Sequence, residues 1–330
     1  MSYIKPLLAA ALIALLLVGS GCGASAPPAE ADPFLLSFAD KVDVARMMET
    51  IDYLASEELR GRPAGSPQSA ELEQNLEERM RELGLEPASQ LGLEGYRQEF
   101  PVPPERCFLE DPPPPDEPVN GTNIIGKIAG ESEDELIVLT ANYDSLGVDT
   151  STGAIYAGAD YNASSAAAIL ELASVFSSLE RKPAKSLIFA LLGAEECGGY
   201  GSAALTESLE TGGFHDDVLA INLEGLGAGE GDYMDVWDLN YRKNRPTVEA
   251  VDEAAELLEV ELELGGADPG TSAATFFLFH LPAVTIDWSW FERGDHPDFH
   301  LPSDTPDKIK QDGLRQVTRV VAVATWLLAQ

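Results

Sequence analysis

Positive charge is scarce in this chain: 21 Lys and Arg stand against 56 Asp and Glu over 330 residues, a formal net charge of −35. That balance excludes the electrostatic footprint of a nucleic-acid-binding protein. It favours cationic ligands such as a free α-amine, and it equally suits a solvated acidic shell in saline surroundings. Cysteine is nearly absent as well. Cys22, Cys107 and Cys197 allow one disulfide at most. Long apolar runs are confined to the first residues, and no later segment is long and apolar enough to cross a bilayer as a helix of about 20 residues. There is no internal repeat and no second composition regime.

Lys5 followed by the apolar stretch 7–18 has the form of a signal peptide, too short for an ordinary membrane helix. The stretch ends in Gly19-Ser20-Gly21-Cys22, which resembles the lipobox of bacterial lipoproteins and implies that Cys22 is the lipidated first residue of the mature chain. Residues 1–21 are then a signal peptide, and 22–33, rich in Ala, Gly and Pro, a flexible tether. An exported protein held to a membrane only by lipid is expected, with one folded domain over 34–330. Outside the cytoplasm Cys107 and Cys197 have the conditions to pair. The setting of Cys197, beside Glu195-Glu196, reads instead as that of a buried structural thiol.

Helical spacing marks residues 42–54 and a helix opened by Ser66-Pro67, with Leu72, Leu76, Met80 and Leu83 on one face. Residues 94–102 look like a strand, and the short runs at 124–128, 136–141, 187–192, 218–223 and 283–286 read as strands. Ile169, Leu172, Ala173 and Phe176 form the stripe of one intervening helix, and Leu314, Val317, Val321 and Leu328 that of a closing helix. The proline run 112–118 must be an exposed excursion. Strands alternating with amphipathic helices predict a three-layer α/β/α sandwich on a mostly parallel, mixed sheet.

Polar residues gather just past the predicted strand ends, where open α/β sheets bind ligands. Asn142-Tyr143-Asp144, Glu195-Glu196 and Glu224 each follow a strand, Asp160 precedes a helix, and His296-Pro297-Asp298-Phe299-His300 comes late. One carboxylate at a strand end is usually a cap or a solvated loop residue. A series of them points to a site.

In that series the chain resembles the zinc-dependent aminopeptidases, which share their fold with glutamate carboxypeptidases and animal glutaminyl cyclases. The motifs occur in order: 57–62 with Ala64-Gly65, Asn123-Ile124-Ile125, Gly158-Ala159-Asp160, Ala194-Glu195-Glu196 with Gly201-Ser202, Ile221-Asn222-Leu223, and His300 with 304–309. The resemblance implies that Asp160 bridges two metals, that Glu196 and His300 hold one of them, and that Glu195 takes a proton from metal-bound water. Asn142 and Glu224 fall at the other metal. Asp144, the acid of the family's His-x-Asp motif, is counted with Glu195 as catalytic.

Three departures stand out. Asn142 replaces the motif's histidine and is a weak neutral ligand, Phe299 stands where aminopeptidases commonly have Tyr, and Thr271-Ser272-Ala273-Ala274 lies where the family has Ser-Asp-His. The last two each remove one polar helper. One tight zinc on Asp160, Glu196 and His300 is therefore expected, with a second, all-oxygen site of Asn142, Asp160 and Glu224 suited to a harder ion such as manganese or calcium. The leading reading is an exopeptidase acting on peptides with free amino termini. A mono-zinc glutaminyl cyclase with Trp288, Trp290 and Phe291 around its pocket, and a surface binding protein that has lost catalysis, belong to other classes. His296 is read as a supporting or solvated residue, and His215 and His280 as loop or packing residues. Side-chain preference and oligomeric state are not legible.

Overall fold

The computed structural model describes residues 32–229, 231–266, 270–289 and 296–330. Cys22, the expected lipidation site, and the aromatics Trp290 and Phe291 lie outside the described residues. The folded unit starts at Asp32, whose carboxylate caps the first helix by accepting from the Phe34 amide. No described helix is long and apolar enough to cross a membrane.

The described residues form eight α-helices: α1 (Pro33–Ala39), α2 (Val44–Leu54), α3 (Pro67–Glu82), α4 (Ser165–Ser177), α5 (Tyr200–Thr211), α6 (Arg245–Leu258), α7 (Ser272–Leu278) and α8 (Gln311–Leu328). The helix predicted at Ser66-Pro67 forms as α3, with Ser66 accepting from the Ser69 amide and Pro67 in the first turn, where its missing N–H costs nothing. Asp43 caps α2 in the same way.

The strands are β1 (Glu86–Pro87), β2 (Arg97–Val102), β3 (Val119–Ile128), β4 (Ser132–Asn142), the small pair β5 (Gly147–Val148) and β6 (Ile155–Tyr156), then β7 (Lys185–Leu192), β8 (Val218–Leu223), β9 (Tyr233–Trp237), β10 (Glu261–Gly265) and β11 (Ala283–Trp288). Apart from the small pair they form one sheet in the order β1-β3-β7-β4-β8-β11-β9-β10, with β2 beside β3. Pairing is parallel through β7-β4-β8-β11 and between β9 and β10, and antiparallel at β3-β7 and β11-β9. The sheet is mixed, as predicted, with helices on both faces.

Alternation along the central strands builds two apolar layers. Ile137, Leu139, Leu187, Phe189 and Leu191 face the larger core with α2, α4, α6 and α8, while Leu136, Val138, Ile188, Ala190 and Leu192 face Leu205 and Leu209 of α5 and Phe276 of α7. Helix α4 lies in that core and is buried along nearly its whole length. Because β7, β4 and β8 run parallel, their carboxyl ends meet at one edge of the sheet, and the loops after Asn142, Leu192 and Leu223 open there. The proline run 112–118 is coil and largely exposed.

Candidate functional site

Beneath that edge lies a floor in which polar groups are held by the protein itself. Arg62 is fully buried and donates to the carbonyls of Leu54, Tyr143, Ala157 and Gly158, tying α2 to the loops after β4 and β6. Burial pulls its pKa down to about 10, against the pull of Asp144, Asp304 and Glu196. Asp304 receives the backbone amides of Asp160 (2.8 Å) and Tyr161 (3.1 Å). Burial and the neighbouring Asp160 raise its carboxyl to about 6.

Asp160 belongs to this floor. One of its oxygens accepts from the amides of Gly227 (2.7 Å) and Ala228 (3.0 Å), and the other lies 2.5 Å from His296 Nδ1. His296 is therefore neither solvated nor facing the cleft. Its second nitrogen is 3.0 Å from the Trp288 carbonyl, so both ring nitrogens have acceptors. Burial opposes the charge on His296, yet its pKa is raised, because Asp160 bonds and attracts it. His215 and His280 are exposed.

Asp144, expected among the catalytic groups, is also structural here. It is fully buried and accepts from the amides of Glu195 (3.3 Å) and Glu196 (3.1 Å). Its pKa is raised well above the carboxylate range, by burial first and by those two glutamates second. The same loop needs Gly201, where a Cβ would strike the Gly193 carbonyl and come within 2.6 Å of Asn123 Oδ1. Ala194 holds a left-handed φ of 59° to present the two glutamates, and His300 one of 53°. Such a conformation costs a non-glycine residue about 1–2 kcal/mol, offset by its surroundings.

Above the floor is a cleft of about 340 Å³, lined by Asn142, Glu195, Glu196, Glu224, Phe299 and His300 together with Tyr161, Ser272 and Leu278. Glu195 is fixed at both oxygens, by the Ser202 amide and the Ser272 hydroxyl, each at 2.6 Å. Burial raises its pKa and these donors oppose the rise. Ser272 corrects an expectation, since the stretch 271–274 does supply a polar helper. Glu224 accepts from Asn222 Nδ2 (2.7 Å), the Ser272 amide (3.2 Å) and the Tyr161 hydroxyl (3.0 Å). Burial lifts it to about 8 in spite of those bonds. His300 Nε2 lies 3.4 Å from Glu196 Oε2.

Tyr161 was missed by sequence reasoning. Its phenol stands in the cleft, with the ring edge-on to Phe299 (4.7 Å) and His300 (5.2 Å). The only available signal was its position directly after Asp160. Trp288 is buried in the larger core and does not line the cleft, which removes it from the aromatic frame suggested for a cyclase. Cys107 and Cys197 are paired, with Cα atoms 4.7 Å apart, so Cys197 is not a free thiol. The bond ties the loop of the two glutamates to the chain just before the proline run.

The residues expected to hold zinc can now be tested against this geometry. Glu196 and His300 do come together. Asp160 does not join them, because its oxygens are engaged beneath the cleft. Asn142 accepts from Asn162 Nδ2 at 2.7 Å, and its own Nδ2 is turned toward Asp144. Glu224 is engaged at both oxygens. Among the described residues no three His, Cys, Asp or Glu side chains form a group able to hold a metal ion. Catalytic zinc takes three protein ligands and keeps a position for water. Neither the tight zinc site nor the harder-ion site fits the arrangement present.

The architecture is that of solved zinc aminopeptidases. The zinc aminopeptidase of Bacillus subtilis is similar at a TM-score of 0.72, with 17% identity over 88% of this chain and 96% of that one. Residues 123–325 match Peptidase family M28, and the chain belongs to that family. A probable zinc metalloprotease of Pyricularia oryzae is 31% identical over 111 residues, 33% of this chain and only 20% of that protein. The fold is also similar to the glutaminyl cyclase of Fimbriiglobus ruber, at a TM-score of 0.68 and 20% identity over 92% of this chain and 99% of that one.

Proposed function

We propose that this chain is an exported, lipid-anchored protein of Peptidase family M28 that takes the free amino end of a peptide into the cleft. Family membership and the aminopeptidase neighbours support a metal-dependent, peptidase-like function, and the zinc metalloprotease relative supports zinc as the ion that goes with it. Hydrolysis through zinc-bound water needs a third ligand beside Glu196 and His300, and Asp160 is bound elsewhere. The geometry supports the binding half of an aminopeptidase's work.

One observation carries this reading: three glutamates, 195, 196 and 224, converge on a cleft whose described lining contains no Lys or Arg. Carboxylates gathered without a counter-charge attract a cation, the more strongly as water is excluded. A peptide's α-ammonium brings that charge together with three N–H donors. Export is supported by the signal-like first residues and by the paired cysteines, which belong to oxidising compartments.

Calorimetry with a free-amine tripeptide and its N-acetyl twin tests the reading. The free amine is expected to bind at least about tenfold tighter, a difference of about 1.4 kcal/mol. Equal affinities would sink it. The glutaminyl cyclase neighbour makes an N-terminal glutaminyl peptide the informative substrate. Pyroglutamate marks a cyclase, free glutamine a peptidase, and recovered peptide the binding role.

A further inference from the structure

We infer that Tyr161 occupies the place a cation would hold between Glu224 and the Glu196–His300 pair, so that this cleft binds its ligand without zinc. The inference rests on the amine-binding reading for the ligand, and on independent geometry for the metal. Asp160 and Tyr161 are consecutive, and only the second side chain enters the cleft. Its hydroxyl donates to Glu224 Oε2 at 3.0 Å, while its ring meets His300 edge-on with centroids 5.2 Å apart. One side chain thus bridges the two flanks that a shared metal would join.

The surroundings are consistent with a phenol there. Tyr161 packs edge-on against Phe299 at 4.7 Å, an aromatic contact that a hydrated cation would not make. Its amide is anchored to Asp304, which sets the direction of the backbone. Asn142, which also lines the cleft, accepts from Asn162 Nδ2, and Asn162 in turn donates to the Leu223 carbonyl and accepts from the Gly225 amide. A neutral amide network therefore closes the second flank. Two positions, 142 and 161, carry neutral side chains between the acids, and Tyr161 is the larger obstruction.

Replacing Tyr161 by a short carboxylate removes the obstruction and adds the missing ligand. Metal analysis after equilibrium dialysis against zinc is expected to find no bound zinc on the wild-type chain and one equivalent on Tyr161→Asp. Only the variant should show a zinc-dependent rise in melting temperature. Stoichiometric zinc on the wild-type chain overturns the inference, whether or not the variant folds. A folded Tyr161→Asp chain that takes up no zinc also overturns it, since the phenol would then not be the obstacle. Titration of the free-amine tripeptide in EDTA gives the second readout: unchanged affinity supports a metal-free site, and loss of binding contradicts it. No preference for the free amine, with zinc or with EDTA, would remove the amine reading and leave the metal result standing.

Discussion

The floor and the cleft sit against one another and are built from neighbouring residues, yet they treat charge in opposite ways. In the floor, Arg62, Asp160, His296 and Asp304 answer one another with opposite charges or with backbone donors and acceptors. In the cleft, acids outnumber the bases and two of them, Glu195 and Glu224, are held above their ordinary pKa by burial. A paired set spends its electrostatics on fixing the backbone. A set held mainly by neutral donors, with no Lys or Arg in its described lining, keeps it for a ligand.

Breaking the floor should therefore cost the fold most. Arg62→Ala leaves four buried carbonyls without their donor and is expected to destabilise by about 4 kcal/mol or more in urea unfolding. Phe299→Ala in the cleft is expected to cost far less, and equal losses would erase the distinction. Next comes the disulfide. Cys107 and Cys197 close a loop of 90 residues, and replacing both by Ser should cost about 2–4 kcal/mol by the same measurement.

The cleft should reveal itself through pH. Glu224 sits at about 8 in the fold, against about 4.3 for an ordinary glutamate. The folded chain thus keeps a proton that the unfolded chain releases, and stability falls as pH rises from the lower value through the higher. Melting temperatures across that window should fall less steeply for Glu224→Gln than for wild type. Parallel curves would show that the acid is not held neutral. Smallest of all, Tyr161→Phe removes one hydrogen bond to Glu224 and is expected to change stability by about 1 kcal/mol.

Much of the frame was legible in the sequence. The runs at 124–128, 136–141, 187–192, 218–223 and 283–286 all lie within strands, because each is a short run rich in apolar residues. The strands Tyr233–Trp237 and Glu261–Gly265 were not read. Glu261, Glu263 and Gly265 dilute the apolar signal of an edge strand, and β9 carries Asp235 in its interior. Helices α5, α6 and α7 were also passed over; α6 carries its buried Ala and Val on one face amid many charges. At the site, Glu195, Glu196, Glu224, Asn142 and His300, grouped by motif order, line one cleft. Asp144 and Asp160 turn away from it, since position at a strand end does not say which way a side chain turns.

The sequence by itself determined part of the order of strands and helices, the acids at the sheet's open edge and the likeness to zinc aminopeptidases, because periodicity and motif order are one-dimensional signals. Tertiary structure alone decided that Asp160 points down and Tyr161 up. Residues 161 and 162 leave helical geometry, with φ of −112° and −138°, so no spacing rule fixes their directions; the Asp304 carboxylate, which accepts the amides of Asp160 and Tyr161, and the amides of Gly227 and Ala228, which donate to Asp160, all distant in the chain, do.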